Sequence, residues 1–165
     1  MNDDDETVTA YHEAGHAVIA WALGAKITAL GLSQASEFDD DEQGLPRSFG
    51  QCHISWGCVS SESPDQKMRE LMTSLAGPVA EQIYTGDKLD LAACAMDFAT
   101  AGNRLQGLPQ DRVTRVRNAA LTQLRRALNQ ETYWAAVSAL ADEILVGDEL
   151  ESEHVESIIA FWLDR

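Results

Sequence analysis

The chain has few basic residues and no long apolar run. Lysine and arginine supply 12 of 165 residues against 27 aspartates and glutamates, which gives a formal charge of -15. An acidic surface of this kind repels a phosphate backbone, so we expect no nucleic-acid partner. No stretch reaches the roughly 18 to 20 apolar residues that cross a bilayer, and the amino end is acidic. We therefore expect a cytoplasmic protein without direct membrane insertion.

Two further absences concern cysteine and nucleotide binding. Cys52, Cys58 and Cys94 form neither an even set nor a CxxC pair, which predicts buried thiols in a reducing compartment. No GxxxxGK[ST] phosphate loop is present, so we expect no bound ATP and no other cofactor-binding motif. Any coupling to ATP would come from a separate ATPase partner.

The apolar residues predict a mainly α fold with a small β-sheet (α+β). The length and a hydrophobic content of 45% predict one domain over residues 1–165. Residues 7–23 lack proline and are apolar on nearly all sides, which is typical of a buried helix. Residues 26–33 and 49–59 contain β-branched and aromatic residues that favour two strands. A strongly acidic loop joins these strands.

Helical patterns fill the rest of the chain. Ser63, Pro64 and Gln66 predict the start of a helix that contains Pro78, where we expect a kink, and ends at Gly86. Apolar stripes predict four more helices that form a bundle. The first begins at Asp87 or Asp90 and ends at Leu105, another follows the break at residues 107–109, and the last two are capped by Asn129 and Ser152.

The first helix contains His12, Glu13, Ala14, Gly15 and His16, an HExxH pattern. Residues four apart on a helix lie on one face, so both imidazoles can bind one tetrahedral zinc ion. Glu13 lies beside the open position of that ion, where its carboxylate can take a proton from the attacking water. The pattern thus predicts Zn2+ as cofactor and a metal-assisted hydrolysis of peptide bonds. The alternative is that the HExxH pattern arose by chance on a buried helix and that its histidines only make ordinary hydrogen bonds.

A catalytic zinc ion needs a third protein ligand besides two histidines. The residues alone leave four acidic candidates on the following helices: Glu81, Asp87, Asp90 and Asp97. Asp87 and Asp90 are more simply helix-start residues that complement the helix dipole. His53 and His154 are expected to be a strand residue and a solvent-facing residue.

A family resemblance is carried by three segments: residues 9–18 (TAYHEAGHAV), 75–81 (LAGPVAE) and 97–101 (DFATA). In this order, they are similar to the signature helix, the AGRxAEE segment and the NDxxxAT segment of the FtsH-type family of zinc metallopeptidases, M41. The resemblance implies a zincin-like fold with a helical bundle at the carboxyl end. It also implies Asp97 as third ligand, with Glu81 either competing for that role or orienting a ligand histidine.

The chain also departs from the family. Met96 stands where the family usually has asparagine, and Pro78 differs from the family's segment. The family's membrane anchor and ATPase module have no counterpart here, so we expect a stand-alone, ATP-independent endopeptidase-like domain that acts on unfolded or extended segments. The alternative is a catalytically silent zinc-binding module that binds or regulates another protein. The sequence leaves oligomerisation open.

Overall fold

The computed structural model describes residues 3–33, 49–147 and 149–163, so the acidic loop predicted between the strands lies outside the described residues. Within these ranges, the fold is mainly helical with one small antiparallel sheet, as predicted. In chain order, the elements are α1 (Asp3–Ala22), β1 (Lys26–Ser33), β2 (Phe49–Ser55), α2 (Pro64–Thr85), α3 (Ala95–Arg104), α4 (Gln110–Leu128), α5 (Glu131–Val146), β3 (Leu150–Glu151) and α6 (Ser152–Leu163).

The sheet has the order β2-β1-β3. Strand β1 pairs antiparallel with β2 from Lys26 opposite Ser55 to Ser33 opposite Phe49. On its other side, β1 pairs with β3 through Ala29 and Leu30. Strand β3 was not predicted, because two residues are too short to carry a period of two. In the order β2-β1-β3, strand β2 forms one edge of the sheet among the described strands.

Helix α1 lies at the centre of the molecule, in contact with α2, α5 and both long strands. Its small side chains explain this position, since alanines at 10, 14, 17 and 20 are fully buried. At Gly15, a β-carbon would lie 2.5 Å from Cβ of Ala80, so the absence of a side chain allows the backbones of α1 and α2 to approach closely. The buried apolar residues of the helices and of β1 form one continuous cluster.

The predicted start of α2 is confirmed, and two other helix starts were wrong. Ser63 Oγ accepts a hydrogen bond from the backbone N–H of Gln66 at 3.2 Å. The Asp90 carboxylate caps a turn by accepting from the N–H groups of residues 92 and 93, and α3 begins only at Ala95. Asn129 ends α4 and donates to the carbonyl of Arg125, whereas Gln130 precedes α5.

The structure corrects two smaller predictions. Strand β2 ends at Ser55 because Gly57, with φ at +67°, turns the chain before residue 59. Cys58 follows that turn and is exposed, whereas we expected three buried thiols; Cys94 is buried and Cys52 is half-buried. Helix α2 runs through Pro78 to Thr85, ending before Gly86 as predicted. None of the described helices has the length and apolarity that a membrane span requires.

Candidate metal centre

Three side chains predicted as metal ligands meet in the folded chain. His12 and His16 lie one turn apart on α1, and Asp97 lies in the first turn of α3. Helix α3 is positioned by its packing against α2, which itself packs on α1. Residues separated by more than 80 positions in the sequence are thereby brought into one cluster.

The metal-binding atoms of these side chains are close together. Nε2 of His12 lies 3.1 Å from Nε2 of His16 and 3.1 Å from Oδ2 of Asp97. Nε2 of His16 lies 3.3 Å from Oδ1 of Asp97. Ligand atoms about 2.0 to 2.1 Å from a tetrahedral zinc ion are separated by slightly more than 3 Å, so the three residues fit such an ion. Two imidazoles and one carboxylate also form a donor set that is found at catalytic zinc sites.

Each histidine is held by a hydrogen bond at its other ring nitrogen. Nδ1 of His16 donates to the carbonyl oxygen of Thr73 at 2.7 Å. Nδ1 of His12 lies 3.0 Å from Oε2 of Glu81 and can donate to it. A proton on each Nδ1 leaves each Nε2 with a free lone pair, and these are the two atoms that face one another. Glu81 thus contacts the other ring nitrogen of His12, which is the contact that an orienting residue makes.

Helix α2 approaches the two imidazoles so closely that residue 77 has no room for a side chain. A β-carbon on Gly77 would overlap Nε2 of His16 and would lie 2.7 Å from Nε2 of His12. Glycine therefore allows the backbone of α2 to form one wall of the centre. The same helix supplies Thr73 and Glu81, the two residues that orient the imidazoles.

Glu13 lies beside the cluster and faces the edge strand. Its side chain is 9% exposed, and a β-carbon on Gly50 of β2 would overlap its carboxylate and Cγ. Burial raises the pKa of Glu13, while the nearby charges of His16 and His12 oppose that rise. A raised pKa makes this carboxylate a stronger base than an exposed glutamate. The predicted general base is therefore held in a fixed position at the cluster.

Burial and hydrogen bonds shift the pKa values of His12 and Asp97 in opposite directions. Burial lowers the pKa of His12, but hydrogen bonds with Asp97, Cys94 and Glu81 outweigh it and bring the pKa well above its usual value. Burial raises the pKa of Asp97, but hydrogen bonds from His12 and His16 outweigh it and bring the pKa far below its usual value. Both shifts favour the charged forms of His12 and Asp97, which attract each other.

The cluster forms the floor of an open cleft of about 420 Å³. One wall consists of alternate residues of β2, Gly50, Cys52 and Ile54, whose side chains share one face of the strand. Another wall comes from α3 and from Ala93, two residues before it, and includes the largely exposed Met96. The cleft is thus bordered by an edge strand on one side and by the helix that carries Asp97 on the other.

The remaining predicted candidates lie elsewhere. Asp87 and Asp90 are exposed, and the carboxylate of Asp90 caps a turn. His53 is an exposed strand residue, and the exposed His154 lies 3.7 Å from a carboxylate oxygen of Glu143. Both histidines have the positions that the sequence predicted.

Four further residues contact the predicted site residues and were not predicted as part of the site: Gly50, Gly77, Thr73 and Cys94. A signal existed for Gly77, since glycine is unfavourable inside a helix and this one precedes Pro78. Cys94 is buried and donates to Oε2 of Glu81 at 3.6 Å. No pattern in the sequence connects it with the site.

Comparison with protein-family models gives no match, and comparison with curated proteins gives no significant match.

Proposed function

We propose that the chain is a zinc-dependent endopeptidase domain that hydrolyses peptide bonds in unfolded or extended segments. The observation that carries this proposal is the convergence of Nε2 of His12, Nε2 of His16 and the carboxylate of Asp97. The two nitrogens lie 3.1 Å apart, and each lies 3.1 or 3.3 Å from one of the two Asp97 oxygens. These three residues would hold the zinc ion. When bound, zinc acts as a Lewis acid that lowers the pKa of water and polarises a carbonyl group.

The protein's own part in the reaction centres on Glu13. Its carboxylate oxygen accepts a proton from the attacking water and then donates that proton to the nitrogen of the leaving amine. Gly50 and the burial of the side chain limit the positions that this carboxylate can take. Glu81 and Thr73 fix the orientation of the two imidazoles throughout.

The shape of the cleft supports an extended substrate. Strand β2 is an edge among the described strands, so its free backbone groups can pair with a peptide that lies along the cleft. The described lining of the cleft contains neither lysine nor arginine. A peptidase that removes carboxyl-terminal residues needs a cation for the terminal carboxylate, so the lining favours cleavage within a chain.

Hydrolysis of unfolded casein by zinc-loaded protein tests the proposal. We expect cleavage that stops after zinc is removed by a chelator and returns when zinc is restored. Glu13→Gln should retain about one zinc per chain and lose activity, roughly 100-fold to 10,000-fold in kcat, because the variant has no general base. Glu131→Gln, an exposed change on α5, is the matched control and should remain active.

Two outcomes would contradict the proposal in different ways. Zinc-loaded protein that cleaves neither casein nor a peptide library would favour the silent, zinc-binding module. Equal activity of Glu13→Gln and the unchanged protein would remove Glu13 from the mechanism.

A further inference from the structure

A second group of metal-binding atoms lies on the other side of the His12 ring. Nδ1 of His12 and Sγ of Cys94 both contact Oε2 of Glu81, at 3.0 Å and 3.6 Å. All three atoms lie within 4.8 Å of one another. Glu81 is 8% exposed and Cys94 is 1% exposed, so this group is more deeply buried than Asp97.

The chemistry of this second group differs from that of the first. The first combines two nitrogens with a carboxylate, whereas the second combines one nitrogen, one carboxylate and one sulfur. A thiolate is a soft ligand that favours thiophilic cations, and a metal ion displaces the thiol proton when it binds. The separations of 3.0 and 3.6 Å are close to those between neighbouring ligands of a tetrahedral ion.

We propose that His12, Glu81 and Cys94 form a second cation position, which takes a thiophilic divalent ion such as Cd2+ and competes for His12 with the zinc position. The competition rests on the proposed function, because it requires zinc to bind His12. The second position itself does not.

The competition follows from the imidazole ring. A neutral imidazole has one N–H and one free lone pair, so a single ion binds at either Nδ1 or Nε2. The structure provides a carboxylate for the remaining N–H in both cases: Glu81 faces Nδ1 at 3.0 Å, and Asp97 faces Nε2 at 3.1 Å. The tautomer of His12 therefore selects between the two positions. An ion at Nδ1 uses Glu81 as a ligand, and that glutamate no longer orients His12.

Cadmium titration of the metal-free, full-length chain tests this inference through the ultraviolet charge-transfer band of a cadmium–thiolate bond. We expect about one Cd2+ per chain with this band. Cys94→Ser should lose the band, because the variant has no sulfur to bind the ion. Serine still provides a hydrogen-bond donor next to Glu81, so only the sulfur is removed. Cys58→Ser is the matched control, since Cys58 is exposed, and Cys52→Ser tests the cysteine that lines the cleft. Both should keep the band.

Two further measurements complete the test. Glu81→Gln should raise the half-band concentration, which is the cadmium concentration that gives half of the full band intensity. This variant provides a second test if Cys94→Ser folds poorly. Zinc loading before the titration should raise that concentration too, because zinc occupies His12.

Bound cadmium without the band, or a band that persists in Cys94→Ser, would overturn the second position. A half-band concentration unchanged by zinc loading would overturn the competition. A chain that binds cadmium through Cys94 but retains no zinc would contradict the proposed function and leave the second position standing.

Discussion

Two parts of the molecule bury their side chains in different ways. The site cluster, His12, His16, Glu81 and Asp97, consists of ionisable groups that satisfy one another through hydrogen bonds. The carboxyl-terminal interface, formed by α5 and α6 with each other and with α1 and β1, buries apolar residues such as Leu140, Ile144 and Ile159. Apolar burial stabilises the fold directly, whereas buried charges stabilise it little unless they are fully paired. We infer that the interface contributes stability and that the site cluster provides the chemistry.

The largest expected effect on stability belongs to the carboxyl-terminal interface. Leu140 is fully buried, so Leu140→Ala should lower the free energy of unfolding by about 2 to 5 kcal/mol. Chemical denaturation measures this change. The folded fraction of this variant should bind as much zinc per chain as the unchanged protein. A loss of zinc from the folded fraction would show that the carboxyl-terminal interface also supports the metal site.

Gly77→Ala should affect both the site and the fold. The added methyl group meets ring atoms of His12 and His16, and overpacking of this kind costs about 1 to 3 kcal/mol. Zinc retention should fall, because the imidazoles must move. The matched control is Gly102→Ala on α3, where a β-carbon meets nothing within 4 Å. That change should raise stability by up to about 1 kcal/mol, and equal zinc loss in both variants would contradict our explanation.

Glu81→Gln and Asp97→Asn test whether Glu81 orients His12 while Asp97 acts as the third ligand. Glu81→Gln should weaken zinc binding roughly 10-fold to 100-fold, the usual effect of losing a group that orients a ligand histidine. Asp97→Asn should weaken it further, because it removes a charged ligand atom. Competition with a chelator measures both affinities. The reverse order would assign the third ligand to Glu81.

The smallest effect is expected at the surface. Arg115 and Asp111 form an ion pair at 2.8 Å on α4, and both side chains are at least 70% exposed. Arg115→Ala should change the free energy of unfolding by less than about 0.5 kcal/mol and leave zinc binding unchanged. A larger loss would show that α4 contributes to the fold through more than its buried face.

The sequence predicted local features better than those that depend on packing. The HExxH spacing placed both histidines and Glu13 because one helical turn determines their geometry. The position of Asp97 came from a family resemblance, since no local rule connects α1 with α3. The sequence left Glu81 as either a ligand or an orienting residue, and its contact with Nδ1 of His12 favours the orienting role.

The missed features depend on distant contacts. Gly50 is required because Glu13 packs against the backbone of β2, and their separation in the sequence conceals this. Cys94 was interpreted as an ordinary buried thiol, because only the fold places it beside Glu81. The start of α3 was misplaced because Asp90 can cap either a turn or a helix.

Anomalous scattering at the zinc absorption edge, from crystals of the zinc-loaded protein, tests whether His12, His16 and Asp97 hold the ion. We predict one peak within bonding distance of Nε2 of His12, Nε2 of His16 and a carboxylate oxygen of Asp97. A peak at Nδ1 of His12 with Glu81 and Cys94 as ligands, or no peak near His12, would contradict it.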